Sequence, residues 1–364
     1  MAAALARNPQ VVQRAKDLGL AYQGDCLAAV RAHALRQVEA VLGDLPIPCD
    51  TLDLLQRLVA MRCGLKVELV DADAAVDRIA EEHRDFHPLL RERLTCEFVD
   101  GDTEGITLRR DPPDPPRFRF LAVVDARGAR AVRAYFTAWH EIVHLLTHPE
   151  QRPFPAVRRA PSPDEVRKDP LESLVDHVAG RLAFYPPLFG PLLQAAAVDH
   201  GGFTFAAIEA ARVRAAPAAS LYAAAMGALH LATDPTLLVC AEFAPKAADR
   251  RFARGPQQLL ALDGLEVKED LRVPRVVGND AASTSVLAIR RNMRVPERSV
   301  IARAHESPTD VSLAAVENQA WWETSGNGRL PPARIRVAAV RRGRFVYGLI
   351  SPESQLAPRT PACR

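Results

Sequence analysis

Residues 133–150 read RAYFTAWHEIVHLLTHPE, and both the fold and the chemistry of the chain turn on them. From about Ala129 the apolar residues recur at helical spacing, which predicts one amphipathic helix. His140 and His144 are four residues apart, so on that helix their imidazoles leave from one face and can share a divalent cation. Glu141 follows the first histidine, placed to take a proton from an activated water. Chance produces HExxH in about one or two of a hundred chains of this composition, and the helix then carries two incidental histidines.

A catalytic metal site needs a third ligand and an open position for water. Glu172, twenty-eight residues beyond His144, begins the helical segment ESLVDHVAGRLAFY, and Asp176 follows one turn later on the same face. A ligand glutamate with an aspartate at i+4 suits a site whose aspartate accepts the free N–H of a ligand histidine. The plainer alternative is two solvated carboxylates on a surface helix. After HExxH at this distance, the ligand reading is preferred.

Working outward, residues 1–45 read largely as helix, with Leu27, Val30, Ala34, Val38 and Val41 at three- and four-residue spacing. Thr51 caps a helix that ends near Gly64, and LKVELV (65–70) alternates like a strand. Residues 95–124 read as β-rich: CEFV, a DGDTEG turn, ITLR, a DPPDPP loop and FRFLAVV (118–124). The last is expected as an interior strand or as an edge strand that receives an extended peptide by β-addition. Gln151–Asp169 is a Pro- and Arg-rich loop of the kind that borders a site. Helices are expected from Pro170 to about Ala232, then a strand LLVCAEF (237–243). A basic connector (245–256) precedes a segment of short alternating runs, in which ARIRVAAV (333–340) and RFVYGLI (344–350) form a hairpin through Arg342-Gly343. A domain boundary is therefore expected near residue 246.

Composition narrows the class. The chain has 364 residues, 48% hydrophobic and 25% charged, which excludes a disordered or collagen-like protein and allows more than one core. Lys and Arg total 47 against 44 Asp and Glu, so no general basic footprint for nucleic acid exists. The six cysteines form no CxxC pair and read as reduced thiols of a cytoplasmic protein. The N-terminal MAAALARNPQ has no signal-peptide core, and the uncharged runs 182–198 and 215–233 are too poorly apolar for a bilayer span.

RAYFTAWHEIVHLL resembles the RxRFTxAHExGHxLL signature of the ImmA/IrrE metallopeptidases, and ESLVDHVAGRLAFYP is similar to their ExxxNxFAAxLLMP segment. The resemblance implies metal ligands at His140, His144 and Glu172, Glu141 as general base, and one divalent cation, Zn²⁺ or Mn²⁺. It extends to 202–229, similar to the family's helix-turn-helix-like segment, and to LRVPRVVGNDAASTSVLAIRRNMRVPERS (271–299), similar to a GAF-like sensor domain. The implied architecture is α/β (α+β) and multidomain. Residues 1–198 are a gluzincin-like metallopeptidase core with a helical extension (1–45), 199–245 a helical module, and 246–364 the sensor domain. Three departures stand out: Trp139 replaces a small residue, Val143 a glycine, and Asp176 an asparagine. The first two are expected to narrow the substrate cleft.

The resemblance implies an intracellular endopeptidase that cleaves a helix-turn-helix transcriptional repressor, releasing stress-response or mobile-element genes, with a small-molecule ligand at the sensor domain. Tyr135, His148, His177 and His200 are candidate oxyanion donors that the sequence does not separate. The alternative function is a ligand-sensing regulator that acts by binding protein or DNA, its metal site structural. Direct DNA reading is disfavoured because the second helix of the module, about 218–231, contains no Lys or Arg. HRDFH (83–87) is read as a surface turn, since Pro88 ends any helix there. DGDTEG resembles half a calcium loop, but its twelfth position is Asp111 where such a loop has a bidentate Glu, and no flanking helices are expected, so it is read as a hairpin turn. The arginines at 334, 336, 341, 342 and 344 are read as a solvated hairpin.

Overall fold

The structure, a computed structural model, describes residues 2–44, 49–84, 89–99, 103–110, 118–148, 156–159, 169–246, 269–324 and 328–353. The DPPDPP loop, most of the basic connector and most of the 151–169 loop lie outside the described residues. The chain is mixed α/β with two sheets. It divides into two compact units, residues 1–194 with 210–227 and residues 195–209 with 228–364. The helical stretch expected as a module at 199–245 is thus shared between the two units.

In the first unit, helices α1 (Ala2–Leu5), α2 (Pro9–Asp17), α3 (Cys26–Gly43) and α4 (Leu52–Arg62) precede strand β1 (Leu65–Val70). The expected Thr51 cap is present, its hydroxyl accepting from the Leu54 N–H. Helices α5 (Asp73–Glu82) and α6 (Leu90–Val99) follow, then β2 (Thr103–Arg109), β3 (Phe120–Asp125), α7 (Ala131–Thr147), β4 (Ala156–Arg159) and α8 (Pro170–Leu182). CEFV, expected as a strand, is the last turn of α6. Leu90, Leu94 and Phe98 recur at i+4 and are all buried, so the helical period overrides the local β preference.

The strand order is β1-β3-β2-β4, with β1 parallel to β3 and the other pairs antiparallel. FRFLAVV therefore supplies an interior strand, and the edge-strand expectation falls. All six residues of β3 are buried, as in a strand covered on both faces. One face of the sheet, through Ile106, Leu108, Leu121 and Val123, packs on Val76, Ile79, Leu94 and Phe98 of α5 and α6. The alternate positions on β2, Gly105 and Thr107, turn to the opposite face, where α7 lies.

α9 (Pro186–Asp199), α10 (Phe205–Ala215) and α11 (Leu221–Leu231) lead to β5 (Leu237–Pro245). The second unit holds β5, β6 (Glu269–Gly278), α12 (Val300–Glu306), β7 (Ser312–Asn318), β8 (Arg334–Arg342) and β9 (Phe345–Pro352). Its antiparallel sheet has the order β6-β5-β9-β8-β7. The strand at 237–245 pairs with β6 and β9, so it belongs to the second sheet although it lies before the boundary expected near 246. The expected β8–β9 hairpin forms, but its turn is Gly343-Arg344, with Arg342 paired to Phe345 and Gly343 at φ 57°. Trp322, Ile301, Val337 and Ile350 centre the core of this unit. No helix among the described residues is long and apolar enough to cross a membrane.

Candidate metal centre

α7 starts after a turn at Gly128–Arg130 and ends at His148, just before Pro149. Its buried side carries Ala138, Trp139, Ile142 and Val143, each fully or almost fully removed from solvent. At about 1.5–3 kcal/mol for each large apolar side chain, this burial fixes the rotation of α7 about its axis. α8 is set by Asp169, whose side chain accepts from the Leu171 N–H, and by Pro170 in its first turn. Glu172 then lies in that first turn, where the helix dipole favours an anion.

These two helices bring the expected ligands together. His140 Nε2 lies 2.9 Å from His144 Nε2 and 3.1 Å from Glu172 Oε2, and His144 Nε2 lies 3.3 Å from Glu172 Oε1. Bonds of about 2.0–2.1 Å to a tetrahedral cation place neighbouring donor atoms about 3.3 Å apart, so the triangle has the size such a cation needs. The chemistry of the set agrees. Asp176 Oδ1 is 2.8 Å from His140 Nδ1, which puts the ring proton on Nδ1 and leaves Nε2 as a lone pair facing the triangle. Glu172 adds only acceptors. Burial pushes the Glu172 carboxyl upward, yet the two imidazoles beside it outweigh this and hold the group well below the ordinary carboxylate range. The histidines are buried while the Glu172 side chain is 39% exposed, so the centre opens to solvent on the α8 side.

Glu141, next to His140 on α7, is buried, and its Oε2 accepts a hydrogen bond of 2.6 Å from Thr107 Oγ1 on β2. The sequence reading missed Thr107. The signal was there: in TEGITLR, Gly105 and Thr107 share one strand face while Ile106 and Leu108 take the apolar one. A buried strand face made of Gly and Thr is one that meets polar groups. Arg133 of α7 pairs with buried Glu104 of β2 at 2.8 Å, beside a shift in the β2–β4 register.

Two of the remaining candidates, Tyr135 and His148, commit their protons elsewhere. The Tyr135 hydroxyl is buried and donates to the Ala183 carbonyl at 2.7 Å, and burial pushes its pKa up. Burial, with Arg14 and His144 nearby, pushes His148 down to about 4, so it is neutral at pH 7. Thr147 donates to the Val143 carbonyl, so His148 Nδ1 donates its one proton to Thr147 Oγ1. His177 follows Asp176 on α8, about 100° further round the helix. His200 lies in the turn after α9. Trp139 and Val143 are fully buried, so neither side chain lines an open cleft.

Glu68, Glu82 and His83 also converge. Lys66 lies 2.8 Å from Glu68, and Arg78 pairs with Glu82 at 3.2 Å, so cationic side chains already neutralise this cluster. His83 is buried with its ring 3.2 Å from Glu68, which corrects the surface-turn expectation for the start of HRDFH; residues 85–87 lie outside the described residues. Comparison with known proteins finds no matching family model and no matching curated protein.

Proposed function

We propose that the chain is a metal-dependent endopeptidase. The observation that carries this is the convergence of His140, His144 and Glu172 on one point, with the buried Glu141 next to His140 on the same helix. His140, His144 and Glu172 would hold the cation, with Zn²⁺ the best match to two nitrogens and a carboxylate and Mn²⁺ also accepted. When bound, the cation supplies Lewis acidity toward water and the scissile carbonyl.

The protein's own residues do the rest. Asp176 fixes the tautomer and orientation of His140. Glu141 accepts a proton from the attacking water as the water oxygen bonds to the carbonyl carbon, then delivers it to the amide nitrogen as the C–N bond breaks. The products are a carboxylic acid and an amine, with one water consumed.

By its resemblance to the ImmA/IrrE proteins, the substrate is an intracellular helix-turn-helix repressor, with the C-terminal GAF-like unit sensing a small molecule. A calorimetric titration of metal-stripped protein with Zn²⁺ and Mn²⁺, beside Glu172→Ala, tests the centre. One tight site in the wild type, weakened about tenfold or more in the variant, is the expected result. No saturable site would leave a regulator that works by contact. Glu141→Gln should keep the metal and lose cleavage of a co-expressed repressor; continued repressor loss in that variant would overturn the peptidase reading.

A further inference from the structure

We propose that Thr107 is a positioning residue for Glu141: it ties down Oε2 from the sheet and leaves Oε1 as the oxygen that exchanges protons. This rests on the peptidase reading of the same centre. The side chains meet at 2.6 Å, both residues are buried, and the acceptor is a carboxylate, so the hydroxyl donates.

A free glutamate has a broad, two-fold terminal torsion, and its two oxygens interchange by rotation. A single short bond to one oxygen removes that equivalence. The surroundings of the other oxygen differ. Gly105, two residues back on the same strand face, has no side chain, and a methyl built there would stand 3.5 Å from Glu141 Oε1 and 3.0 Å from Thr137 Cγ2. β2 therefore offers a hydrogen bond to Oε2 and only a bare backbone to Oε1. The Glu104–Arg133 ion pair holds this part of β2 against α7, so the anchor and the base move together.

The test uses Co²⁺-loaded full-length protein and acetohydroxamic acid, a small chelator that gives up its O–H proton on binding and so reports a base at the right place. Thr107→Val keeps the branched shape and strand preference; Thr107→Ser keeps the hydroxyl. Thr107→Val is expected to bind Co²⁺ and melt like the wild type but to bind the hydroxamate about tenfold more weakly, with Thr107→Ser close to wild type. In a Glu141→Gln background, Thr107→Val should cause no further loss, an outcome that general damage to the strand would not give. Hydroxamate affinity in Thr107→Val equal to wild type, or equal loss with and without Glu141, would overturn the role of Thr107 alone. Failure of the wild type to bind Co²⁺ would overturn the metal centre, and this inference with it.

Discussion

Asp176 Oδ1 stands 2.8 Å from His140 Nδ1, on the opposite end of the imidazole from Glu172. The ring is thus held between two carboxylates, one fixing its proton and the other sharing its lone-pair side. Asp176→Ala should weaken Zn²⁺ affinity by about 10–100-fold while leaving all three ligands in place. Asp176→Asn, which retains an acceptor oxygen, should lose less. Competition against a calibrated chelator measures both.

A buried network at the end of β3 makes a stability prediction. Asp125 is fully buried and receives hydrogen bonds from Arg127 and Arg130. Burial raises its pKa, but those bonds outweigh it and hold the carboxyl below its ordinary value. A lowered folded pKa means the unfolded chain binds more protons in that range, so stability rises with pH there. The contribution is complete above about pH 4 and is lost as pH falls through the depressed folded value. Asp125→Asn should therefore destabilise the protein by about 2 kcal/mol or more at pH 7, the partly exposed arginines softening the loss. The difference from wild type should shrink in acid, as read by urea unfolding at a series of pH values.

Gly227 of α11 carries a close approach. A Cβ at this position would lie 2.3 Å from Phe184 Cγ and 2.5 Å from its Cβ. Those atoms sit next to the backbone and cannot swing aside, so Gly227→Ala forces the helix away. A loss of about 1–3 kcal/mol is expected, against the gain in helix propensity that alanine brings at an open position. Thermal unfolding of Gly227→Ala settles the sign.

Thiol reactivity should be strongly graded. The described cysteines are all free; Cys96 is exposed, whereas Cys26, Cys49 and Cys240 are buried. Burial pushes Cys63 and Cys240 up to about 11, so neither forms much thiolate at pH 8. In a Cys363→Ser background, Ellman's reagent should modify Cys96 first and reach Cys63 and Cys240 only on unfolding. Fast modification of Cys240 in the folded protein would contradict the packing of β5.

Much of the centre was legible because helical spacing alone dictates which side chains share a face: His140 with His144, and Glu172 with Asp176. What sequence spacing could not supply was the sheet. Thr107 meets Glu141 across thirty-four residues, and no local pattern names its partner. The strand reading of CEFV failed because four residues are too short a window to reveal the Leu90, Leu94, Phe98 repeat. FLAVV (120–124) could have been placed inside the sheet, since an unbroken apolar run marks a strand buried on both faces. The effect ascribed to Trp139 and Val143 failed for a related reason: size is visible in a sequence, but the direction of burial is not. The membership of β5 was likewise hidden, because its partners lie later in the chain.

That placement of β5 has a consequence for how the protein is made. Leu237–Ala241 pair with Val346–Ile350, so a strand made early waits for one more than a hundred residues later. During synthesis at about 5–20 residues per second, β5 would spend seconds with that flank unsatisfied. The second unit should therefore be the slow-closing part of the chain and the one most dependent on chaperones. A stop codon before Phe345 would leave the ribosome with an open sheet, and a protein prone to aggregation.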